Sequence, residues 1–209
     1  MIKQNSDAER KKIYKHLEYS FQMFYLCKVN KRDNILKSAL KLFVDQGEQA
    51  TSMKWIASEA KCGIGTMYNY FQSKEELINE LYVEIKTRLF TYTFDGHNTD
   101  VPVKQQFIGT WLKFIDYAII NPYEYKFLQV FAHSPKISKQ ATEKVNKLIS
   151  PVLEIFEKGK REGIIKDHDA LQLLIFTNGA ITASVLINPD IDESGKMAII
   201  LLAWDAIKS

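Results

Sequence analysis

The sequence predicts an all-α protein in which a small N-terminal three-helix head is joined by a long helix to a larger helical body. Apolar residues recur every three or four positions through most of the chain, which is the period of an amphipathic helix. No segment alternates apolar and polar residues for long enough to predict a sheet. Residues 51–74 have the pattern of two short helices around a tight turn, which predicts a helix-turn-helix.

The 209 residues divide into three predicted segments. Residues 1–30 are an N-terminal extension that is partly helical, residues 31–76 are the head, and residues 77–209 are the body. A chain of this length can hold one or two domains with a buried core.

The composition is that of a soluble globular protein, with 46% hydrophobic and 25% charged residues. The formal net charge is +3 and is unevenly spread. Residues 1–90 carry 15 Lys and Arg against 11 Asp and Glu, whereas residues 91–209 carry 13 against 14. A mildly basic N-terminal part suits a DNA-reading head on a body with a different task.

Cysteine usage and hydropathy predict a cytoplasmic protein. Cys27 and Cys62 have neither the number nor the spacing of a disulfide framework or a zinc site, which favours a reducing compartment. No apolar run approaches the roughly 20 residues that span a bilayer. Residues 21–29 are too short and too interrupted for a signal peptide. We therefore expect no membrane association.

The extension starts with several basic residues and then becomes apolar. Ile13, Leu17, Phe21 and Phe24 recur at helical spacing, which predicts an amphipathic helix. Two interpretations stay open, an extra helix or tail on the head, and a basic arm that reaches DNA phosphates or the minor groove.

Residues 31–46 predict the first helix of the head, and Gly47 ends it in the usual C-terminal manner. In the helix-turn-helix that follows, Ser52 or Thr51 caps a short helix. Its apolar face is formed by Met53, Ile56, Ala57 and Ala60. After a turn at residues 61–63, a second helix carries a polar and aromatic set that has little need for burial, Thr66, Tyr68, Asn69 and Tyr70.

Ser73, with Glu76 three residues later, has the spacing of a capping box and begins a long helix that continues to Phe94. Turn residues at 95–100 separate it from the helices of the body. These are predicted from about Pro102 to Ile120, from 121 or 122 to Phe131, from Ser138 to Arg161 with a kink at Pro151, from Asp167 or Asp169 to Ile187, and from Glu193 to Ile207.

Residues 31–85, with the segments TSMKWIASEA and CGIGTMYNYFQSKEEL, resemble the DNA-binding head of the TetR/AcrR family of bacterial transcriptional regulators. The resemblance implies a dimeric, all-helical protein with a helical ligand-binding and dimerisation domain. Carried over by position, it implies DNA contacts at Thr51, Ser52, Lys54, Gly63, Ile64, Thr66, Tyr68, Asn69, Tyr70 and Lys74. Hydroxyls and lysines suit phosphates, Asn69 suits adenine, and Ile64 suits a thymine methyl group.

Two residues depart from the pattern of the family. Lys61 stands in the turn, where the family often has Gly, so a residue with a side chain occupies a position at which glycine is favoured. Ile64 stands where polar or basic side chains are common, so the base preference of relatives does not transfer to this chain.

The body contains two further candidate sites. An aromatic wall predicts contacts with a small, mainly apolar effector at Trp111, Phe114, Tyr117, Phe127, Phe131 and His133, with core packing as the alternative for each. The last two helices predict a dimer interface formed by Gly179, Ala180, Ala183, Ser184, Met197, Ile200, Leu201 and Trp204, with packing inside one chain as the alternative.

The sequence and the resemblance together predict a homodimeric regulator that binds a double-stranded DNA operator and responds to a small-molecule effector. A repressor released by the effector is the favoured form. An activator or a partner-controlled regulator of the same fold is the alternative, and a helical-bundle enzyme is a further one. No catalytic constellation, metal-ligand spacing or phosphate-binding loop is present in the sequence, so we expect no enzyme activity, no cofactor and no metal.

Overall fold

The computed structural model describes residues 31–132 and 134–209. The predictions for the extension, residues 1–30, and for His133 lie outside the described residues. The chain forms two compact units with their boundary between Leu77 and Ile78, and each is described by itself under the names head and body.

The all-α prediction is confirmed. In the head, α1 covers residues 31–46 of the described chain, α2 Met53–Glu59 and α3 Ile64–Tyr70. Helix α4, Lys74–Phe94, begins in the head and continues into the body. The body helices are α5 Val103–Ile120, α6 Pro122–Phe131, α7 Lys139–Leu148, α8 Ser150–Arg161, α9 Ala170–Ile187 and α10 Glu193–Ile207. The extended structure in the described residues is a single antiparallel bridge between Ile165 and Lys208.

The predicted helix from Ser138 to Arg161 is wrong in one respect, because it is two helices. Ile149 is both the C-cap of α7 and the N-cap of α8, and Pro151 lies in the first turn of α8. Proline has no N–H to donate and is tolerated at a helix start, where that donor would have no partner in any case. The expected kink at Pro151 is therefore a complete break.

The head is built around a small apolar core. Ile35 of α1, Ile56 of α2 and Met67 of α3 are each fully buried, and Phe71 after α3 is 1% exposed. The guanidinium of Arg32 lies 5.6 Å from the centroid of the Phe71 ring, a cation–π distance. All three helices thus contribute to one core.

The turn between α2 and α3 is a Schellman motif that contains a residue other than glycine. Cys62 N–H donates to the Ala57 carbonyl at 2.9 Å, and Lys61 N–H donates to the Ser58 carbonyl at 3.1 Å. Lys61 has a φ of 52°, so it occupies the left-handed region that favours glycine. The lysine at this position, where the family often has glycine, therefore strains the backbone of the turn.

The body core lies between α5, α8, α9 and α10. The rings of Phe107, Phe156 and Trp204 pack at centroid distances of 6.1 and 5.3 Å from Phe107. A Cβ on Gly159 of α8 would lie 2.5 Å from the end of the Ile165 side chain, so any larger residue would require Ile165 to move. At the edge, buried Lys196 of α10 donates to Asp116 of α5 at 2.6 Å and ties the two helices together.

Replacement of Lys61 by glycine should stabilise the head, because it removes a side chain from the left-handed region. We expect Lys61→Gly to raise the free energy of unfolding by about 0.5–1 kcal/mol. The matched control is Gly47→Ala. Gly47 has a φ of 80°, and a Cβ at this position would have no atom within 4 Å, so backbone strain alone should destabilise the variant by about 1 kcal/mol. Hydrogen exchange at buried amides of α1 and α3 measures both, and no gain for Lys61→Gly would contradict the assigned strain.

Candidate nucleic-acid interface

The second helix of the helix-turn-helix exposes a mixed apolar and polar face. Ile64 is 43% exposed and Tyr68, one turn later, is 49% exposed, although both are large hydrophobic residues. Gly63, Gly65 and Asn69 are exposed beside them. Met67, on the opposite side of the helix, is fully buried. α3 is therefore anchored by one face and presents the other to solvent.

The chain after α3 fixes where the helix ends. Phe71 adopts an extended conformation and buries its ring. Ser73 Oγ then accepts from the Glu76 N–H at 3.0 Å, which confirms the predicted cap. The Glu76 carboxylate accepts from the Gln72 N–H at 2.6 Å, one residue earlier than in an ideal capping box. The turn between α3 and α4 is thus held by side chains from both ends.

The first turn of α2 adds polar groups. The Ser52 side chain accepts from the Trp55 N–H at 3.2 Å, which confirms the predicted N-cap. Ser52, the cap itself, and Lys54, in the first turn of α2, are both exposed. Trp55 is 41% exposed and was not among the predicted DNA contacts. Its position outside the apolar face of α2 could have identified it, because a large aromatic residue there is expected to be exposed. Its indole N–H is a donor suited to a phosphate oxygen.

Two of the predicted DNA-contacting residues, Thr51 and Lys74, form bonds within the head. Thr51 is 1% exposed, and its hydroxyl donates to the carbonyls of Gly47 and Leu42 at 2.8 and 3.2 Å. Lys74 Nζ pairs with the Glu48 carboxylate at 2.8 Å. It also donates to the carbonyls of Glu48 and Thr51 at 2.9 and 3.1 Å. Both side chains hold the loop before α2, and Lys74 has its donors occupied there.

The remaining predicted residues lie in the first turn of α2 and along α3. Thr66 and Tyr70 are half-buried, whereas Ser52, Lys54, Gly63, Ile64, Tyr68 and Asn69 are exposed. Hydroxyl, ammonium and amide groups suit phosphates and base edges, and an aliphatic side chain suits the thymine methyl group. A helix of this width fits the major groove of B-DNA.

The predicted effector-contacting residues of the body are mostly part of its packing. Trp111 is buried against Phe107 and Phe114, with ring centroids 6.0 and 5.3 Å away. Phe127 and Phe131 are buried and stacked on each other at 4.4 Å. Phe114, which is half-buried, is the most accessible member of this set among the described residues.

The hydroxyl of Tyr117 forms a hydrogen bond within the body. It donates to the Glu124 carboxylate, which also accepts from the Arg88 guanidinium at 2.8 and 3.0 Å. Burial, followed by the hydrogen bond with Glu124, raises the pKa of Tyr117 above its ordinary value. This triad joins α4, α5 and α6.

Three buried hydroxyls of the body were missed in the sequence. Thr93 of α4, Thr110 of α5 and Thr182 of α9 have hydroxyl oxygens without a hydrogen-bond partner among the described residues. Buried polar groups are normally paired, so these three hydroxyls are exceptions within the body. Threonine in a helical pattern carries no sequence signal for such a role.

The predicted dimer face divides between surface and interior. Gly179, Ala180 and Ala183 of α9 are exposed, and Ser184, Met197 and Leu201 are half-buried. Ile200 and Trp204 are 0% and 4% exposed, so they belong to the core of their own chain, which corrects their assignment. The exposed apolar face of α9 and α10 is formed by Ile175, Phe176, Gly179, Ala180, Ala183, Leu186, Ile187, Ala198 and Leu202.

Helix α9, Ala170–Ile187, is long and apolar enough to cross a membrane by length and composition alone, with one third of its residues buried inside the body. The exposed apolar residues that give it this character are those of the face just described. No three metal-binding side chains come together among the described residues.

Two family descriptions match the chain. Residues 35–81 match "Bacterial regulatory proteins, tetR family", and residues 69–209 match "Tetracyclin repressor-like, C-terminal domain". The second match covers more than half of the chain. The two matches overlap within α3 and α4, the part of the chain that leads from the head into the body.

Individual relatives agree with these matches. YhgD of Bacillus subtilis, an HTH-type transcriptional regulator, is 23% identical over 146 residues, which are 68% of this chain and 75% of that protein. The HTH-type transcriptional repressor KstR2 of Mycolicibacterium smegmatis is 34% identical over 61 residues, 29% of this chain and 30% of that protein. A TetR family transcription regulator from Marinobacter aquaeolei has the same fold, with a TM-score of 0.80, 20% identity and coverage of 88% and 99% of the two chains.

Removal of the Lys74 ammonium should destabilise the head. Lys74→Met removes the ion pair with the partly buried Glu48 carboxylate and the hydrogen bonds to two carbonyls, and we expect a loss of about 1–3 kcal/mol in the free energy of unfolding. Lys54→Met, at an exposed lysine, should change it by less than about 0.5 kcal/mol. Hydrogen exchange at head amides measures both. Unchanged stability with weaker DNA binding in Lys74→Met would restore its role as a DNA contact.

Proposed function

The chain belongs to the tetR family of bacterial regulatory proteins, and on that premise we propose that it is a repressor which leaves its DNA operator when a small, mainly apolar effector binds. The exposed face of α3 carries this proposal. Ile64 and Tyr68 lie in solvent on a helix whose other side is buried, and packing within the head gives no reason for them. Large exposed apolar side chains in a cluster indicate a binding surface.

In the proposed complex, α3 lies in the major groove and α2 crosses the phosphate backbone. Ser52, Lys54 and the indole N–H of Trp55 contact phosphates and fix the register. Asn69 reads adenine and Ile64 packs on a thymine methyl group. Thr66, Tyr68 and Tyr70 supply further hydroxyl contacts. Thr51 and Lys74 support this surface from within the head and are left out of it.

We propose that two copies associate through the exposed apolar face of α9 and α10. The small residues Gly179, Ala180 and Ala183 let two helices approach closely, and the larger side chains around them lose water on contact. A two-fold dimer places the two α3 helices on successive major grooves, about 34–36 Å apart. This association also accounts for the apolar character of α9 in a cytoplasmic protein.

The effector is proposed to act through α4. This helix begins beside α3 and, within the body, is joined to α5 and α6 by the triad of Arg88, Tyr117 and Glu124. An effector that displaces α4 inside the body thereby moves the start of the same helix. It releases DNA only if it binds the displaced state more tightly than the DNA-bound state.

The name of KstR2 says that this relative is a repressor, which favours repression over activation for a chain with a similar head. The relatives are transcriptional regulators, and we propose that this chain likewise has no enzyme activity. An activator of the same fold would bind the same kind of operator and would raise transcription when bound.

The test of the proposal has two steps. DNA fragments bound by the full-length protein are selected from a genomic library at physiological salt, which gives the half-site and its spacing. Candidate effectors that bind the protein are then titrated against the labelled operator. Release of DNA by an effector supports the proposal. The switch is contradicted when every effector that binds the protein leaves its operator affinity unchanged.

Two head variants should separate backbone contacts from base contacts on the selected operator. Lys54→Ala should weaken binding to all sequences alike and reduce the slope of log K against log salt by about 1. Ile64→Ala should weaken operator binding by about 1–3 kcal/mol and reduce the preference for the contacted base pair. Binding isotherms on the operator and on single-base variants measure both effects. Lys126→Ala, at an exposed lysine of α6, is the control and should change neither quantity.

Charged substitutions in the exposed face of α9 and α10 should prevent dimerisation. Ala183→Glu and Leu202→Glu each place a carboxylate where two apolar surfaces would meet, and burial of an unpaired charge is costly. We expect a monomer in sedimentation velocity with unchanged helicity. Val130→Glu, at an equally exposed apolar residue of α6, is the matched control and should remain dimeric. A dimer in both face variants would place the interface elsewhere.

A further inference from the structure

Lys86 lies on a side of α4 that faces the interior of the body, and by surface area it is half-buried. Phe90 and Phe94, four and eight residues later, both pack against the core cluster of the body. Residues four apart share a helix face, so Lys86 belongs to the same row. Tyr82, one turn earlier, is buried, and the Lys86 ammonium lies 5.9 Å from the centroid of its ring.

No carboxylate of the described residues pairs with this ammonium. Lys86 forms neither an ion pair nor a hydrogen bond with any described residue, and its ammonium lies over the Tyr82 ring. The neighbouring carboxylates of α4 have other partners, since Glu84 pairs with Arg88 and Glu80 with Lys144. Burial lowers the pKa of Lys86 to about 8, so the group remains mostly protonated at neutral pH. A charged group that is partly removed from water normally has a partner of opposite charge.

The same side of α4 carries an unpaired hydroxyl. Thr93 is seven residues after Lys86, about 10 Å along the helix, and its buried hydroxyl has no partner among the described residues. The hydroxyl of Thr110 on α5 is in the same condition. Lys86 and Thr93 therefore lie on the same side of α4 as the rings of Tyr82 and Phe90, and neither polar group has a partner among the described residues.

We infer that the effector is an amphiphilic acid whose carboxylate pairs with the Lys86 ammonium. The apolar part of the acid lies along Phe90 and Phe114, and the threonine hydroxyls bond any polar group further along it. A carboxylate forms a charge-assisted hydrogen bond with the ammonium. A neutral analogue of the same shape leaves the cation unpaired and binds less tightly. This inference rests on the proposed effector-binding function and names the chemical class of the effector.

The test is direct binding of matched probes to the full-length protein in the absence of DNA. Octanoate, dodecanoate, hexadecanoate and phenylbutanoate are each compared with the corresponding primary alcohol by isothermal titration calorimetry at neutral pH. We expect at least one acid to bind about tenfold more tightly than its alcohol, or more, and tenfold corresponds to about 1.4 kcal/mol.

Variants at Lys86 assign the preference to this side chain. Lys86→Met should abolish the preference for the acid and leave the affinity of the alcohol unchanged, whereas Lys86→Arg should retain the preference. Lys126→Met, at an exposed lysine of α6, is the control and should behave as the wild type. In the free protein, Lys86→Met should also raise the thermal midpoint, because it removes a desolvated charge. A lysine with a purely structural role would lower that midpoint when replaced.

The outcomes separate this inference from the proposed function. Equal binding of acids and alcohols, failure of every acid to bind, or an acid preference that survives Lys86→Met would each overturn the inference. A Lys86 that merely extends into solvent would give this last result, with an unchanged thermal midpoint. The proposed repressor switch fails separately, when a bound ligand of any charge leaves operator affinity unchanged.

Discussion

The proposed DNA-reading surface depends on the burial of two side chains on the hidden side of α3. A helix of seven residues is unstable in water by itself. Met67 and Phe71, at 0% and 1% exposure, fasten it to the head core, and full burial of such a side chain contributes about 1.5–3 kcal/mol. This anchoring permits the opposite face to carry Ile64 and Tyr68 in solvent, since the helix needs neither of them for its stability.

Several polar groups beside that surface serve to build it. Ser52 caps α2, while Thr51 and Lys74 bond the loop that precedes α2. Lys61 closes the turn at a backbone conformation that favours glycine. A polar residue in a DNA-binding motif can therefore act on DNA or on the shape of the protein. Its exposure and its hydrogen bonds, rather than its type, distinguish the two roles.

The sequence was sufficient for the features that are local. Caps at Ser52 and Ser73 and the helical periods depend on residues three or four apart, so they can be recognised without tertiary structure. Assignments that depend on distant neighbours were less secure. Helical spacing placed Ile200 and Trp204 on an apolar stripe, yet the same stripe faces the core of its own chain. Lys74 bonds carbonyls more than twenty positions earlier, and no local pattern indicates such a partner.

The head and the body treat polar groups differently. In the head, the buried Thr51 hydroxyl and the amine of Lys74 both have partners within the fold. In the body, an ammonium on α4 and hydroxyls on α4, α5 and α9 have none among the described residues. A fold selected for stability alone pairs such groups or replaces them with apolar ones, because an unpaired buried polar group destabilises it. Pairing of these groups by the proposed effector would stabilise the ligand-bound state of the body, and the proposed switch requires such a difference in affinity between two states.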